Sequence, residues 1–239
     1  MVVNLSSSIV LILSGLILLY IDLKILRRNP DRVYYEITFI IGFITAAISS
    51  IFAGIFRIPY LIKENPSNEI WFMGSFLYYF LMTVSLTFLL ASGLAIMNGR
   101  KSFNYGFIGF LGLIPITIAY FFAPLFDIIV LEAETGKANI TMTIPGVLMV
   151  FGVLAFLIIL NVIIYFQIYR ESKSFGTRMM FLGMFVILLS AISGAGSDAL
   201  GDELGRLLDP VGYFLVFLGL LIIAYGFSAT IEQEEQTSV

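Results

Sequence analysis

Four carboxylates crowd the segment 198–209: Asp198, Asp202, Glu203 and Asp209, with Arg206 as the one counter-charge. Oxygen ligands at that density are the kind that collect a divalent cation. Their spacing matches no calcium-binding loop, and a solvated acidic connection accounts for them more simply. Polar residues in apolar surroundings are the other place where chemistry would show. Asn161 is the strongest of these, with Ser49, Ser50, Thr83, Ser85, Thr117 and Ser190 elsewhere. An Asn in lipid wants a hydrogen-bond partner and ties two helices together. Among the charges, Glu36, Arg57 and Asp198 reach furthest into apolar stretches, and each is expected to keep contact with interfacial water. These positions give no buried charge relay of the sort that moves protons or ions across a membrane.

The missing residue types exclude more. The chain has no cysteine and no histidine. That removes disulfides, thiolate chemistry and Fe–S clusters, and with them imidazole-held haem, His-bound zinc or copper, and Ser-His-Asp catalysis. Gly194-Ala195-Gly196-Ser197-Asp198 resembles the glycine-glycine-aspartate signature of intramembrane aspartyl proteases. Ser197 interrupts that signature, and no other apolar stretch offers a second carboxylate at matching depth to share a proton. Gly-x-Ser-x-Gly is absent. A net charge of −3 gives no basic field for nucleic acid. No catalytic set, cofactor ligand or metal site is expected, and the chain reads as a non-enzyme.

What could position the polar residues is a set of membrane helices. Of 239 residues, 59% are hydrophobic and only 12% charged, about half the ~25% of a soluble domain. The apolar residues come in seven blocks, near 9–26, 33–56, 70–97, 105–126, 145–169, 179–200 and 210–230. Each meets or approaches the ~20 residues that cross a bilayer core. The expected fold is therefore all-α, a polytopic bundle of seven transmembrane helices over 1–230, followed by an acidic, disordered tail at 231–239. Met1 to Ser8 carries no Lys or Arg, whereas Lys24, Arg27, Arg28 and Arg32 follow the first block. That polarity is the reverse of a cleaved signal peptide. With the N-terminus outside, nine basic residues fall on the inner side (Lys24, Arg27, Arg28, Arg32, Arg100, Lys101, Arg170, Lys173, Arg178) and four outside (Arg57, Lys63, Lys137, Arg206). The bias puts the C-terminus in the cytoplasm of a multi-pass cell-membrane protein. Two glycosylation tripeptides, at Asn4 and Asn139, fall on the outer side. Pro145 and Pro210 suit the first turns of their helices.

Helix contacts are marked by small residues. Gly42, Ala46, Ser50 and Gly54 recur every four residues in the second block, and Gly212, Gly219 and Gly226 every seven in the last; such faces let backbones approach closely. The sixth block ends in Ala191-Ile192-Ser193-Gly194-Ala195-Gly196-Ser197. That thin outer half is a candidate border for a ligand cavity formed by Ser193, Gly194, Ser197 and Asp198, with Asn161 deeper in the bundle. Trp71, Phe72, Phe76, Tyr78, Tyr79, Phe80 and Phe88 crowd the third block, where the outermost rings fit an interfacial belt and the deeper ones pack the bundle or line an apolar pocket. On the inner side, Arg100, Lys101, Arg170, Lys173 and Arg178 form a candidate surface for a cytoplasmic signalling partner or for anionic lipid headgroups.

The closing stretch Leu208-Asp209-Pro210-Val211-Gly212-Tyr213-Phe214, running on to Leu220-Leu221-Ile222-Ile223-Ala224-Tyr225-Gly226-Phe227, resembles the last helix of the seven-helix N-terminal sensor region of certain prokaryotic histidine kinases. The likeness implies a sensor; only nine residues follow the last span here, so its output would lie on a separate partner. The topology is also similar to that of microbial rhodopsins, but the seventh block has no lysine to hold retinal. The expected function is receptor-like: an external or lipid-borne signal shifts helices against one another. Partners would be membrane lipids, a cytoplasmic signalling protein and, in a homo-oligomer, further copies of the chain. A transporter or channel for a neutral or apolar solute, and a structural subunit of a membrane complex, are the alternatives.

Overall fold

In the computed structural model the described backbone covers residues 5–28, 34–62, 68–122, 129–134, 137–142, 144–199 and 202–237. Side chains are described for most of these residues, but not for 24–28, 129–142, 193–199, 202–209 or 230–237, nor for several at other helix ends. The elements are α1 (Leu5–Arg28), α2 (Tyr34–Ile62), α3 (Asn68–Asn98), α4 (Arg100–Gly106), a 3-10 run Phe107–Gly112, α5 (Leu113–Phe121), β1 (Ile129–Glu134), β2 (Lys137–Met142), α6 (Ile144–Val147), a π turn Leu148–Gly152, α7 (Val153–Ser172), α8 (Phe175–Ala199) and α9 (Asp202–Thr237). Among the described residues six stretches are long and apolar enough to cross a membrane: Tyr34–Phe56, Phe72–Asn98, Ser102–Phe121, Ile144–Ser172, Phe175–Ile192 and Pro210–Ala229. The apolar part of α1, Ser7–Leu23, is shorter.

Neighbouring rods pack as α1–α2–α3–α7–α8–α9, and α9 returns to α1, closing a ring. The fourth stretch, made of α4, the 3-10 run and α5, lies against α3 and the π turn. Two cores follow. The main one unites Leu18, Phe39, Phe43, Leu89, Tyr165, Met184, Ile223 and Phe227 from all six ring helices. A satellite core gathers Tyr79, Ile116, Ala119, Tyr120 and Val150. Outward faces are equally apolar: Leu13 is 53% exposed, and Phe156 61%. Such a belt is what meets lipid rather than water. The chain is a multi-pass helical membrane protein.

The seams rest on small residues. A Cβ on Gly183 would meet the carbonyl of Gly219, and one on Gly219 would meet that of Gly183. Gly226 sits likewise on Gly176. Positions seven apart on both helices thus form one antiparallel seam, the 3.5-residue repeat of left-handed packing. The α1–α2 seam is built the same way, with Gly15 on Ala47 and Gly54 on Ser8. The four-residue stripe of α2 behaves differently. Each four-residue step drifts about 40° around a helix of 3.6 residues per turn. Gly42 therefore faces Ser85 and Leu89 of α3, whereas Gly54, about 120° further round, faces Ile12 and Ser8 of α1. Ala46 and Ser50 between them are buried. The stripe serves two neighbours.

Several expectations are corrected. Between the blocks expected at 105–126 and 145–169, where the sequence alone places no element, lies an antiparallel hairpin in register Ile129↔Met142 through Glu134↔Lys137. Ile, Val and Thr favour strands. The fold is thus helical with one two-stranded addition. The acidic connection is short: α8 runs to Ala199 and α9 starts at Asp202. Acidic residues in a first turn complement the helix dipole. Pro210 accordingly lies inside α9, while Pro145 is in the opening turn of α6 as expected. The Glu- and Gln-rich tail continues α9 to Thr237, because an already nucleated helix extends readily through good helix formers.

Candidate functional site

Polar side chains within the bundle converge on the backbone of α3. Ser49 donates to the Tyr78 carbonyl (3.1 Å), Asn161 to that of Leu86 (3.1 Å) and the Tyr165 hydroxyl to that of Leu89 (3.2 Å). Ser92 of α3 returns a bond to Tyr35 of α2 (2.9 Å). The Asn161 amide also donates to Leu157 (2.9 Å), one turn back on α7, and its Oδ1 has no partner. Fully buried, Asn161 joins α7 to α3.

At the end of the bundle that carries the hairpin, the satellite core forms a packed aromatic cluster. Tyr120 of α5 is fully buried and its ring lies 5.1 Å from Phe72, 5.5 Å from Phe76 and 6.4 Å from Tyr79, centroid to centroid. Tyr79 in turn meets Phe151 of the π turn at 5.4 Å. The Tyr120 hydroxyl has no hydrogen-bond partner. The Ser75 hydroxyl, which donates to its own helix at Phe72 (3.2 Å), is its polar neighbour, but the pair does not reach hydrogen-bond geometry. An unpartnered buried O–H is unusual, since buried polar groups are almost always paired.

Irregular backbone supports this cluster on both sides. A 3-10 helix has three residues per turn, so positions three apart eclipse. Gly106, Gly109 and Gly112 fall on that period, and Cβ atoms there would strike Ala91, Thr87 and Val153 respectively. The α3 side is small as well: Thr83, Thr87 and Ala91 recur every four residues, and the hydroxyls of Thr83 and Thr87 fold back onto Tyr79 and Thr83 carbonyls. This glycine triplet was readable as Gly-x-x-Gly-x-x-Gly. A search tuned to four- and seven-residue spacings passes over it. Val150 of the π turn is buried in the same core.

The opposite end, where α9 terminates, holds charge. Asp22 of α1 is 1% exposed and Glu36 of α2 is 3% exposed, so the expected interfacial contact of Glu36 does not occur. Arg170, Lys173 and Arg178 are exposed around the turn between α7 and α8. That turn is tightly built. Lys173 is left-handed (φ 50°) and donates to the Tyr169 carbonyl at 2.8 Å. The Ser174 hydroxyl accepts the Thr177 N–H at 3.2 Å, and the hydroxyls of Ser172 and Ser174 lie 2.7 and 2.9 Å from that of Thr177. Three cations are thereby held on a stiff corner. Arg100 and Lys101 open α4, which follows α3 across the single left-handed residue Gly99 (φ 68°); their side chains lie outside the described residues. The same holds for Ser193, Gly194, Ser197 and Asp198, whose backbone completes α8, and for Trp71 and Arg57. Among the described residues no group of three potential ligands could hold a metal ion.

Fold and site thus define a class, a helical multi-pass membrane bundle with a buried aromatic cluster at one end and a cationic corner at the other. Comparison with known proteins finds no matching family, no matching curated protein and no matching solved structure.

Proposed function

We propose that this chain is a non-enzymatic, receptor-like protein of the cell membrane, with seven spans, the N-terminus outside and the C-terminus in the cytoplasm. Helix α1 has 24 residues, about 36 Å at 1.5 Å per residue, which supports counting it as a span despite its shorter apolar part. In this reading an apolar ligand bearing one hydrogen-bond acceptor, external or lipid-borne, enters the aromatic cluster and accepts from Tyr120. The single observation behind it is that unpartnered hydroxyl, set among rings and beside two irregular turns. Reversion of a π or 3-10 turn to α geometry rotates one part of a rod against the other. A relay needs a two-state element of that kind. The output surface would be the corner of Arg170, Lys173 and Arg178, with Arg100 and Lys101 adding to it.

Native mass spectrometry of protein purified from native membranes tests the reading. A small-molecule adduct on the wild type, absent from Tyr120→Phe, together with recovery of one cytoplasmic partner, is the expected result. No adduct difference and no partner in repeated purifications would overturn it. Flux of a labelled neutral solute in proteoliposomes would instead favour the transporter alternative.

A further inference from the structure

The buried stripe of α1 reads Ser8, Leu11, Gly15, Leu18, Asp22, with alternating steps of three and four, and all five positions are buried. Asp22 thus occupies the position of the seam that Gly15 and Ser8 occupy one and two heptads earlier. Carrying the contacts of Gly15 with Ala47 and of Gly54 with Ser8 on by seven residues sets Asp22 level with Ile40 of α2. The wall there is apolar: Leu18, Phe39 and Ile40 are each no more than 2% exposed, and the Phe39 ring stacks on Phe227 of α9 at 3.7 Å. The Asp22 Oδ2 atom has no hydrogen-bond partner.

The elements packed against α1 are α2 and α9. On α2 the titratable groups toward this end are Glu36, one turn nearer the terminus, with Tyr34 and Tyr35. Glu36 and Tyr35 each have an interaction of their own. On α9 the sequence offers only Tyr225 between Tyr213 and Glu232, and it is 59% exposed. Along α1 itself Lys24, Arg27 and Arg28 follow.

An ionised carboxylate taken out of water without donors is so unfavourable that the group neutralises instead. A metal cation would need several oxygen ligands; the wall level with Asp22 is hydrocarbon, Glu36 one turn away has an interaction of its own, and among the described residues no group of three potential ligands occurs. A basic residue on another protein's helix cannot reach a side chain that is turned into the bundle. A proton is the ligand that fits. We propose that Asp22 is a proton-binding site, and that proton occupancy at this end of the bundle sets the seating of α1 against α2. The inference is independent of the cluster at Tyr120.

The test uses the full chain in nanodiscs of neutral phosphatidylcholine, with Asp22→Asn and Glu36→Gln. Infrared spectra with isotope-labelled aspartate should show a protonated-carboxyl band near neutral pH, where an ordinary carboxyl is ionised. The band should persist in Glu36→Gln and vanish in Asp22→Asn. Raising the pH should lower the wild-type melting temperature, because the proton is lost from the packed state, and leave that of Asp22→Asn flat. Where Asp22→Asn fails to fold, Asp22→Ser replaces it, and the wild-type pH profile stands on its own. A purely structural polar residue would give no such profile. Absence of the band, a flat wild-type profile, or loss of the band in Glu36→Gln overturns the assignment.

Discussion

Replacing Gly219 by Ala sets two known effects against each other. Helix propensity alone favours Ala over Gly by about 1 kcal/mol. The new Cβ, however, would lie 2.6 Å from Ile187 Cγ1 and 2.7 Å from the Gly183 carbonyl oxygen. Ile187 can turn away, whereas the carbonyl belongs to the facing backbone. Reaching ordinary contact, which begins at 3.4 Å, requires α8 and α9 to part by roughly 0.7 Å. A gap of that size forfeits a quarter to a half of the dispersion attraction along the seam, and overpacking of this kind costs about 1–3 kcal/mol. The net expectation is destabilisation by up to about 2 kcal/mol once the propensity gain is subtracted. Gly152→Ala is the control, since nothing lies nearer than Leu148 Cδ2 at 4.0 Å; it should be neutral or stabilising by up to about 1 kcal/mol. The double variant Gly183→Ala/Gly219→Ala should cost less than the sum of its parts, because the first substitution opens room for the second. Unfolding in mixed micelles with increasing dodecyl sulfate, followed by circular dichroism, measures all four. Should Gly219→Ala prove as stable as Gly152→Ala, close backbone contact is not what holds α8 to α9.

Other substitutions probe single features. Tyr120→Phe removes a buried hydroxyl that has no partner, so the unliganded protein should gain about 1 kcal/mol in the same unfolding assay; a loss would mean that the hydroxyl is paired. Asn161→Leu should change stability by less than about 1 kcal/mol, since interhelical hydrogen bonds in membranes average about 0.6 kcal/mol and the unpartnered Oδ1 is removed with them; a loss above about 3 kcal/mol would show a larger network. Gly99→Ala meets no atom within 4 Å yet sits at φ 68°, so backbone strain alone should cost about 1–2 kcal/mol. Replacing Arg170, Lys173 and Arg178 together by Gln should weaken retention of anionic lipid by roughly 100-fold, at about 1 kcal/mol per charge, measured by lipid counts in native mass spectra; unchanged retention would remove lipid headgroups from the role of that corner.

The helices were legible because the bilayer imposes a simple length rule on apolar blocks, and a tight turn such as Asn98-Gly99 announces itself in sequence. Seven-residue spacing in α9 pointed to a real seam for a geometric reason: seven residues return almost to the same face, four do not. The hairpin escaped notice because its strands are short and a break between apolar blocks was read only as a loop. Depth was the harder quantity. Asp22 is followed within six residues by Lys24, Arg27 and Arg28, so by linear position it resembles a charge at a helix end. Which way it points depends on the 3-4 alternation of its own helix, and counting from Ser8 would have placed it on the buried face. Tyr120 carries no such mark, because a Tyr near a helix end reads as an interfacial ring until neighbours close over it.

The distribution of small residues also separates what can move from what cannot. In the α1–α2 and α8–α9 seams the backbones approach through glycines and other small residues, which leave little room for side-chain repacking. The fourth stretch meets α3 through a 3-10 run and meets the fifth at a π turn, each one hydrogen-bond register away from α geometry. A ligand at Tyr120 therefore acts where the backbone has an alternative, while a proton at Asp22 acts on a seam that has none and can only hold or part. The two share α3, whose carbonyls accept from Ser49 on one side and from Asn161 and Tyr165 on the other. If the cluster moves α3, Asn161→Leu should uncouple the ligand-dependent change at the α7–α8 corner while leaving ligand affinity at Tyr120 intact, as read from a spin label beside Lys173. An equal loss of both would place Asn161 at the ligand rather than between ligand and corner.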